Sequence, residues 1–430
     1  MNFDEALRYL DDHTSYDVTG RIDSPTTERI GRLCAAMGDP QHAAPVIHVT
    51  GTNGKGSTVQ MISRLLMTSG LTVGTYTSPH LECINERIQR NGEPISDEEF
   101  AEQIAAIAQL EAITGVRPSF FEAVTAAAFR WFADVAVDVM VIEVGLLGRW
   151  DATNVVDATV AVITNIGLDH TEFAGPTLAD IASEKAGIIT EHGAVVVGAT
   201  DPNLIKVFSR EPHASMLVRD EDFAVVDNTL AVGGRLLDLR TPTTVYSEVY
   251  LPVHGAHQAE NASAALCAVE TFFAAPLADE VVREGFGAVE LPGRFEVVGV
   301  QPLVIVDGAH NPPGADSSVG VYFDDFRPEE RRILVVGTLR DADEMISALR
   351  ADDFDVVIAC TAATPRGVEA AVIGAAARRA GCVEVLVIDD PIAACEEALR
   401  QAGADDAILV AGSIYVVGAV RSTLLRHSGR

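Results

Sequence analysis

Short apolar runs rich in β-branched residues alternate along the chain with alanine-rich segments whose apolar positions recur at helical spacing. Through the first part of the chain this predicts strands at 46–49, 73–76, 139–143, 159–164 and 194–197, and helices over 56–69, 97–113, 121–134, 178–188 and 260–273. Strands apolar on both faces and separated by helices imply a mostly parallel sheet covered on both sides. Residues 216–253 depart from that rhythm, and alternating runs at 223–226, 229–232 and 244–251 predict a small antiparallel insert. Beyond 291–300 the α/β rhythm resumes, with strands at 303–307, 332–337, 356–360, 383–389 and 407–412 and helices at 315–323, 342–350, 367–380 and 392–401. This second, smaller unit reads as doubly wound and Rossmann-like. The expected fold class is therefore α/β in two domains, 1–297 and 298–430, with neither an internal repeat nor a low-complexity tract.

Composition narrows the class. A chain of 430 residues, 48% hydrophobic and 22% charged, is long enough for two or three cores and is neither disordered nor fibrous. Its 62 acidic residues outnumber 31 basic ones, for a net charge of −31, which argues against nucleic acid or an anionic membrane as partner. Lys55, Lys185 and Lys206 are the only lysines; the other cations are arginines. An acid-rich, lysine-poor chain suits a salty, halophilic cytoplasm where screening quenches self-repulsion; a high-GC genome would give the same arginine bias. None of the six cysteines lies in a CxxC pair, so buried thiols in a reducing compartment are expected rather than disulfides or zinc. MNFDEALRYLDDH lacks the basic and apolar regions of a signal peptide. The longest uncharged stretch, 65–81, is broken by Thr, Ser, Gly and Pro, so no membrane span is expected. A soluble, cytoplasmic protein is the expectation.

The strongest chemical signal is VIHVTGTNGKGS (46–57). A strand, a glycine-rich turn and Lys-Gly-Ser opening a helix suit a polyphosphate. Backbone N–H groups cradle it, Lys55 reaches the outer phosphates and a hydroxyl is offered to Mg²⁺. Val49 stands where the strict P-loop has glycine, so this loop is a variant. VMVIEVG (139–145) closes an apolar strand on Glu143. A buried carboxylate there is costly unless it binds something, and Mg²⁺ wants hard oxygen ligands; an exposed strand end is the plainer alternative. ITNIGLDH (163–170) brings His170, either a ligand or a structural histidine. TSPH (77–80) brings Ser78, on what could equally be a simple Ser-Pro turn. Lys185 sits in a helical pattern, where an ion pair with Glu184 or Glu191 is the default.

Ten segments run in order: GTNGKGS (51–57), TSPHL with NERI (77–88), SFFE (119–122), EVGLLGRWDATN (143–154), ITNIGLDH (163–170), SEKAGI (183–188), HQAENA (257–262), PGRFEV (292–297), DGAHNP (307–312) and GSIY (412–415). Together they resemble the folylpolyglutamate synthase/dihydrofolate synthase family of the Mur ligase superfamily. The resemblance implies an ATP-dependent ligase that adds L-glutamate to dihydropteroate, to (tetrahydro)folate polyglutamates, or to both, through an acyl phosphate. It implies that Gly51, Thr52, Asn53, Gly54, Lys55, Gly56 and Ser57 form the ATP phosphate loop and that Asn261, Arg294 and Asp307 contact the nucleotide. Ser57, Ser78, Glu143, His170 and Lys185 would hold two Mg²⁺ ions, Lys185 as a carbamate that replaces the surface-pair default, with K⁺ as a further candidate cation. Phe121, Glu122 and Asp151 correspond to the pterin side, Arg149 to the substrate region, and Asp151, His310 and Ser413 to the glutamate side. Lys55, Lys185, His170, Asp151 and His310 are the implied catalytic residues. Small-molecule substrates and a monomer are implied.

Two departures from the family pattern bear on the site. Its Gly-Leu-Gly-Gly-Arg reads Gly145-Leu146-Leu147-Gly148-Arg149, placing a bulky side chain in the turn beside Glu143. Its Lys-Asp-Lys-Asp-like run is replaced by Leu339-Arg340-Asp341-Ala342-Asp343, where Ala342 loses a cation. The alternatives are a cell-wall Mur ligase, which TSPHL with NERI disfavours, and a non-catalytic nucleotide binder, which needs no carbamylated lysine.

Overall fold

A computed structural model describes residues 1–20, 25–169, 171–326 and 330–427. Its first sheet contains β1 (Val46–Thr50), β2 (Val73–Tyr76), β3 (Ile88–Arg90), β4 (Glu93–Pro94), β5 (Val139–Glu143), β6 (Ala158–Ile163), β7 (Ala194–Val197) and β8 (Ser215–Val218). They lie in the order β4-β3-β2-β5-β1-β6-β7-β8, parallel except for the hairpin-like β2–β3–β4 edge. β1 and β5 are buried along their whole length because helices cover both faces. Helices Lys55–Thr68 and His257–Phe273 pack on one face, and Asp97–Thr114 and Phe120–Asp134 on the other. Val49 is in register with Glu143 and Thr50 with Ile163. The carboxyl ends of three central strands therefore open side by side, where parallel α/β sheets bind ligands.

The antiparallel insert exists, with different strands from those expected. β9 (Ala224–Ala231), β10 (Gly234–Arg240) and β11 (Val245–Leu251) form a sheet in the order β11-β10-β9. The two runs at 223–226 and 229–232 are one strand: Asp227 and Asn228, which look like a turn, pair with Asp238 and Leu237. The reversal instead comes at Gly233, φ +73°. Met216 belongs to β8, the parallel edge strand, and not to the insert.

The second sheet holds β12 (Glu296–Val300), β13 (Leu303–Val306), β14 (Arg332–Val336), β15 (Val356–Ala359), β16 (Glu384–Val387) and β17 (Ala407–Ala411), ordered β12-β13-β17-β14-β15-β16. Only β12–β13 is antiparallel, and residue 297 falls within β12. Apolar clusters line both faces, the picture expected of a doubly wound sheet. The last helix, Ile414–His427, also touches the first domain. Arg421 bridges Glu296 (2.7 Å) and Glu82 (2.9 Å), and a Cβ at Gly418 would stand 1.9 Å from the Leu81 carbonyl oxygen. Five cysteines are buried free thiols and Cys83 is exposed. Among the described residues no helix is long and apolar enough to cross a membrane.

Candidate active site

Helix Lys55–Thr68 begins after Gly54 (φ +81°) with no side-chain cap. Its first N–H groups are left for an anion, which the helix dipole also favours. A Cβ at Gly51 (φ +150°) would stand 1.9 Å from Thr164 Oγ1, and one at Gly54 would stand 2.4 Å from Asn261 Oδ1. Glycine at both positions lets the loop nest between the end of β6 and helix His257–Phe273. The Asn53 N–H donates to Asn165 Oδ1 (2.9 Å), and Thr164 Oγ1 donates to the Asn53 carbonyl (2.7 Å), fixing the loop further. Asn261 Nδ2 is itself held by Gln258 (2.9 Å). Lys55 Nζ donates to the carbonyls of Gly51 (3.1 Å) and Thr52 (3.2 Å) and so lies over the cradle. Burial pushes its pKa down, against the opposing charges of Glu143 and Asp169.

Glu143 is 4% exposed at the end of β5, so the exposed-end alternative does not hold. Burial raises its carboxyl pKa, against Lys55 and the Ser78 N–H, which donates to Oε2 at 3.0 Å. Gly56 brings its backbone against this carboxylate; a Cβ there would lie 3.5 Å from Oε2. Ser57, Ser78 and Glu143 line the same cleft, a hard-oxygen donor set of the kind Mg²⁺ takes alongside phosphate oxygens.

Lys185 is 5% exposed and lies in a small recess with Gly51, Thr52, Lys55, Leu147, Asp169 and Glu184. Burial first, and the Lys55 charge second, push its amine down to about 7, although Asp169, Asp151 and Glu184 oppose the shift. It is no surface lysine: its helix, Leu178–Lys185, passes into a 3₁₀ turn at Ala186–Ile188 just beyond it. The family's missing glycine is accommodated here. A Cβ at Gly145 would meet Phe121 Cζ at 2.5 Å, and one at Gly148 the Glu184 carbonyl at 2.4 Å, so the steric demand falls on those two positions. Leu147 is buried between cleft and recess.

The second domain closes the cleft. Asp307 accepts the N–H groups of Phe295 (2.7 Å) and Ala309 (2.8 Å), which aligns the loops carrying Arg294 and His310. Burial raises the Asp307 carboxyl, with Arg294 opposing. Burial pushes His310 down to about 4, against the pull of Asp169. The ring is therefore neutral at pH 7, and its Nδ1 lies 3.2 Å from the Gly308 carbonyl. That contact fixes Nδ1–H as the donor and leaves Nε2 as the accepting nitrogen. Ser413 Oγ accepts the Tyr415 N–H (3.2 Å) where helix Ile414–His427 begins. The cleft encloses about 730 Å³, a small-molecule size, and among the described residues seven cationic and six acidic side chains line its walls.

Several expected site residues have other commitments. Arg149 does not line the cleft: its guanidinium pairs with Glu211, and its backbone N–H donates to the Glu184 carbonyl (2.8 Å). Asp151 lines the cleft, but its oxygens accept N–H groups of Leu146 and Thr153 (3.0 Å each) and the Thr153 hydroxyl (2.7 Å). Its visible work is to shape the 145–154 loop. Glu122 likewise closes a capping box with Ser119 and receives Arg29 Nε at 3.1 Å. Phe121 packs against Gly145 at the cleft wall. His170 lies outside the described residues. Asp169, Asn311 and Arg340, which the sequence reading did not select, all belong to the site region.

Residues 49–269 match the Mur ligase middle domain, and residues 293–414 match the glutamate ligase domain of Mur ligases. The Mycobacterium tuberculosis dihydrofolate synthase/folylpolyglutamate synthase is 38% identical over 94% of this chain and 90% of its own. The chain belongs to the folylpolyglutamate synthase/dihydrofolate synthase family of Mur ligases. The crystal structure of the M. tuberculosis folylpolyglutamate synthase complexed with ADP superposes with a TM-score of 0.89 at 36% identity, covering 98% of both chains. E. coli FolC in complex with DHPP and ADP superposes at 0.88 and 29% identity, covering 99% and 98%. The family fold is thus the α/β fold described above, a mostly parallel sheet domain joined to a smaller one.

Proposed function

We propose that this chain ligates L-glutamate to the carboxylate of a pteroate or folate acceptor, coupled to cleavage of ATP. The observation that carries the reading is the meeting in one cleft of a polyphosphate loop bearing Lys55, the buried Glu143 at the adjacent strand end, and Arg294 and His310 from the second domain. In this reading the first-sheet domain binds nucleotide and acceptor, and the second-sheet domain, whose first strand β12 starts at Glu296 just after Arg294, brings the glutamate site.

An acceptor carboxylate oxygen bonds to the γ-phosphorus while the bond to the β-bridging oxygen breaks, giving an acyl phosphate and ADP. The glutamate amine then attacks the acyl carbon, and phosphate leaves with the former carboxylate oxygen. Two anions must meet in the first step. Lys55 and Arg294 are the chain's cations placed to offset that repulsion. In the second step the amine must shed a proton, which the departing phosphate can carry, while neutral His310 lines the cleft and offers Nε2 as a hydrogen-bond acceptor that orients the amine. Ser57, Ser78, Glu143, His170 and a carbamylated Lys185 are the groups that would hold Mg²⁺, which supplies charge neutralisation at the phosphates. Burial between two domains excludes water that would hydrolyse the intermediate.

Glutamate-dependent phosphate release, measured separately with dihydropteroate and tetrahydrofolate, tests the reading. Turnover with both acceptors makes the enzyme bifunctional, and turnover with one fixes its step. A UDP-muramoyl peptide that alone supported release would replace the reading with a cell-wall ligase. Glu143→Gln is expected to lower kcat by about 10²-fold and to raise the Mg²⁺ concentration needed for half-maximal rate, since a neutral amide is the poorer hard-cation ligand.

Salt gives a second check. The substrates are anionic and the chain carries −31, yet among the described residues the cleft walls are nearly balanced in charge. The repulsion is therefore long-range and screenable. Activity is expected to rise from low salt toward molar KCl; a maximum below roughly 0.2 M, where screening is already physiological, would contradict halophilic adaptation. In this reading the enzyme works as a cytoplasmic monomer, with K⁺ the favoured screening cation.

A further inference from the structure

One set of contacts crosses the cleft repeatedly between the two domains. Asp169, in the first-domain segment after β6, has a side chain 6% exposed. It receives Asn311 Nδ2 at 2.8 Å and pairs with Arg340, both from the second domain. Asn311 also exchanges amide hydrogen bonds with Asn53 of the phosphate loop, at 3.1 and 3.3 Å. Each second-domain partner is fixed at its base. Asn311 caps helix Pro312–Val321 by accepting the Gly314 N–H (2.9 Å), and the Arg340 N–H donates to Thr338 Oγ1 (3.0 Å).

We infer that Asp169, Asn311 and Arg340 form a clasp that holds the second domain on the phosphate loop in the reactive arrangement, making Asn311 and Arg340 positioning residues for the ligation. The inference rests on the ligase reading above. These contacts exist only while the domains are together, so their free energy favours the closed state alone. Closure in turn sets the distance between the acyl phosphate and the amine, where small displacements are felt strongly. Arg340 makes this contact two residues before Ala342, which is buried at the start of helix Ala342–Ala348 and offers no charge.

The test uses the full chain and its Arg340→Ala, Arg340→Lys and Asn311→Ala variants. Steady-state rates are compared, and small-angle scattering is recorded with Mg²⁺ and AMPPCP. Arg340→Ala is expected to lose about tenfold or more in kcat with KM for ATP within about twofold, and to give a larger radius of gyration than the parent. Arg340→Lys should recover part of both, because the charge remains and the fork is lost. Asn311→Ala should open the domains and also raise KM for ATP through Asn53. Parental kcat and scattering in Arg340→Ala would overturn the clasp. A lower kcat with unchanged scattering would overturn it too, reassigning Arg340 to substrate contact. If Arg340→Ala does not fold, the other two variants carry the same readings. If the parent shows no turnover, the ligase reading fails, while scattering still decides the clasp.

Discussion

Replacing Lys55 with alanine is expected to reduce glutamate-dependent phosphate release by at least about 10³-fold. The lysine is the cation of the phosphate loop, and its ammonium lies over the cradle through two backbone carbonyls. One preorganised donor at a developing anion is worth about 10²–10³ in kcat, and here the attacking group is an anion as well. The fold should survive, because Lys55 makes its hydrogen bonds to its own loop. Thermal unfolding within a few degrees of the parent, together with the collapsed rate, is the expected pair of results. A Lys55→Ala enzyme with more than about a tenth of parental activity would remove the loop from the chemistry.

Lys185→Ala should lose about 10²–10³-fold, and acetate or formate should restore part of the loss by placing a free carboxylate in the vacated recess. The parent enzyme should respond to CO₂. An amine pushed down to about 7 is largely neutral near pH 8, and only the neutral amine adds to CO₂. Enzyme stripped of CO₂ should regain rate on adding bicarbonate, with a midpoint in pH near 7. The same shift sets a stability trend. Between about 7 and an ordinary lysine's 10.5, the unfolded chain holds a proton that the folded chain has released, so this group's contribution to stability rises with pH through that window. Denaturant unfolding at pH 7 and pH 9 should show the parent gaining relative to Lys185→Ala. Bicarbonate-independent activity would assign Lys185 a role as a simple amine.

Much of this site is local in sequence and was legible there. β1, the glycine turn and the helix opening at Lys55 are contiguous, and an apolar run closing on Glu143 carries its own burial cost. What escaped reading depends on tertiary placement. The Arg149 guanidinium is taken by Glu211, 62 residues away in sequence. The carboxylates of Asp151 and Glu122 are consumed by loop and helix-cap hydrogen bonds that no spacing rule separates from ligand binding. Asp169 and Asn311 stand inside recognised motifs, yet only the approach of the second domain gives them to each other. In the insert, the polar pair Asp227 and Asn228 separates two runs in sequence, and sheet pairing carries one strand through it.

The most direct measurement follows one oxygen atom. Acceptor labelled with ¹⁸O in its carboxylate is turned over with Mg-ATP and L-glutamate, and both product and released phosphate are weighed by mass spectrometry. The account predicts an acceptor enlarged by one glutamyl unit and phosphate carrying one ¹⁸O, because the attacking carboxylate oxygen leaves with phosphorus. Glutamyl product accompanied by unlabelled phosphate would contradict the acyl-phosphate route, and phosphate release without a glutamyl product would contradict the ligase itself.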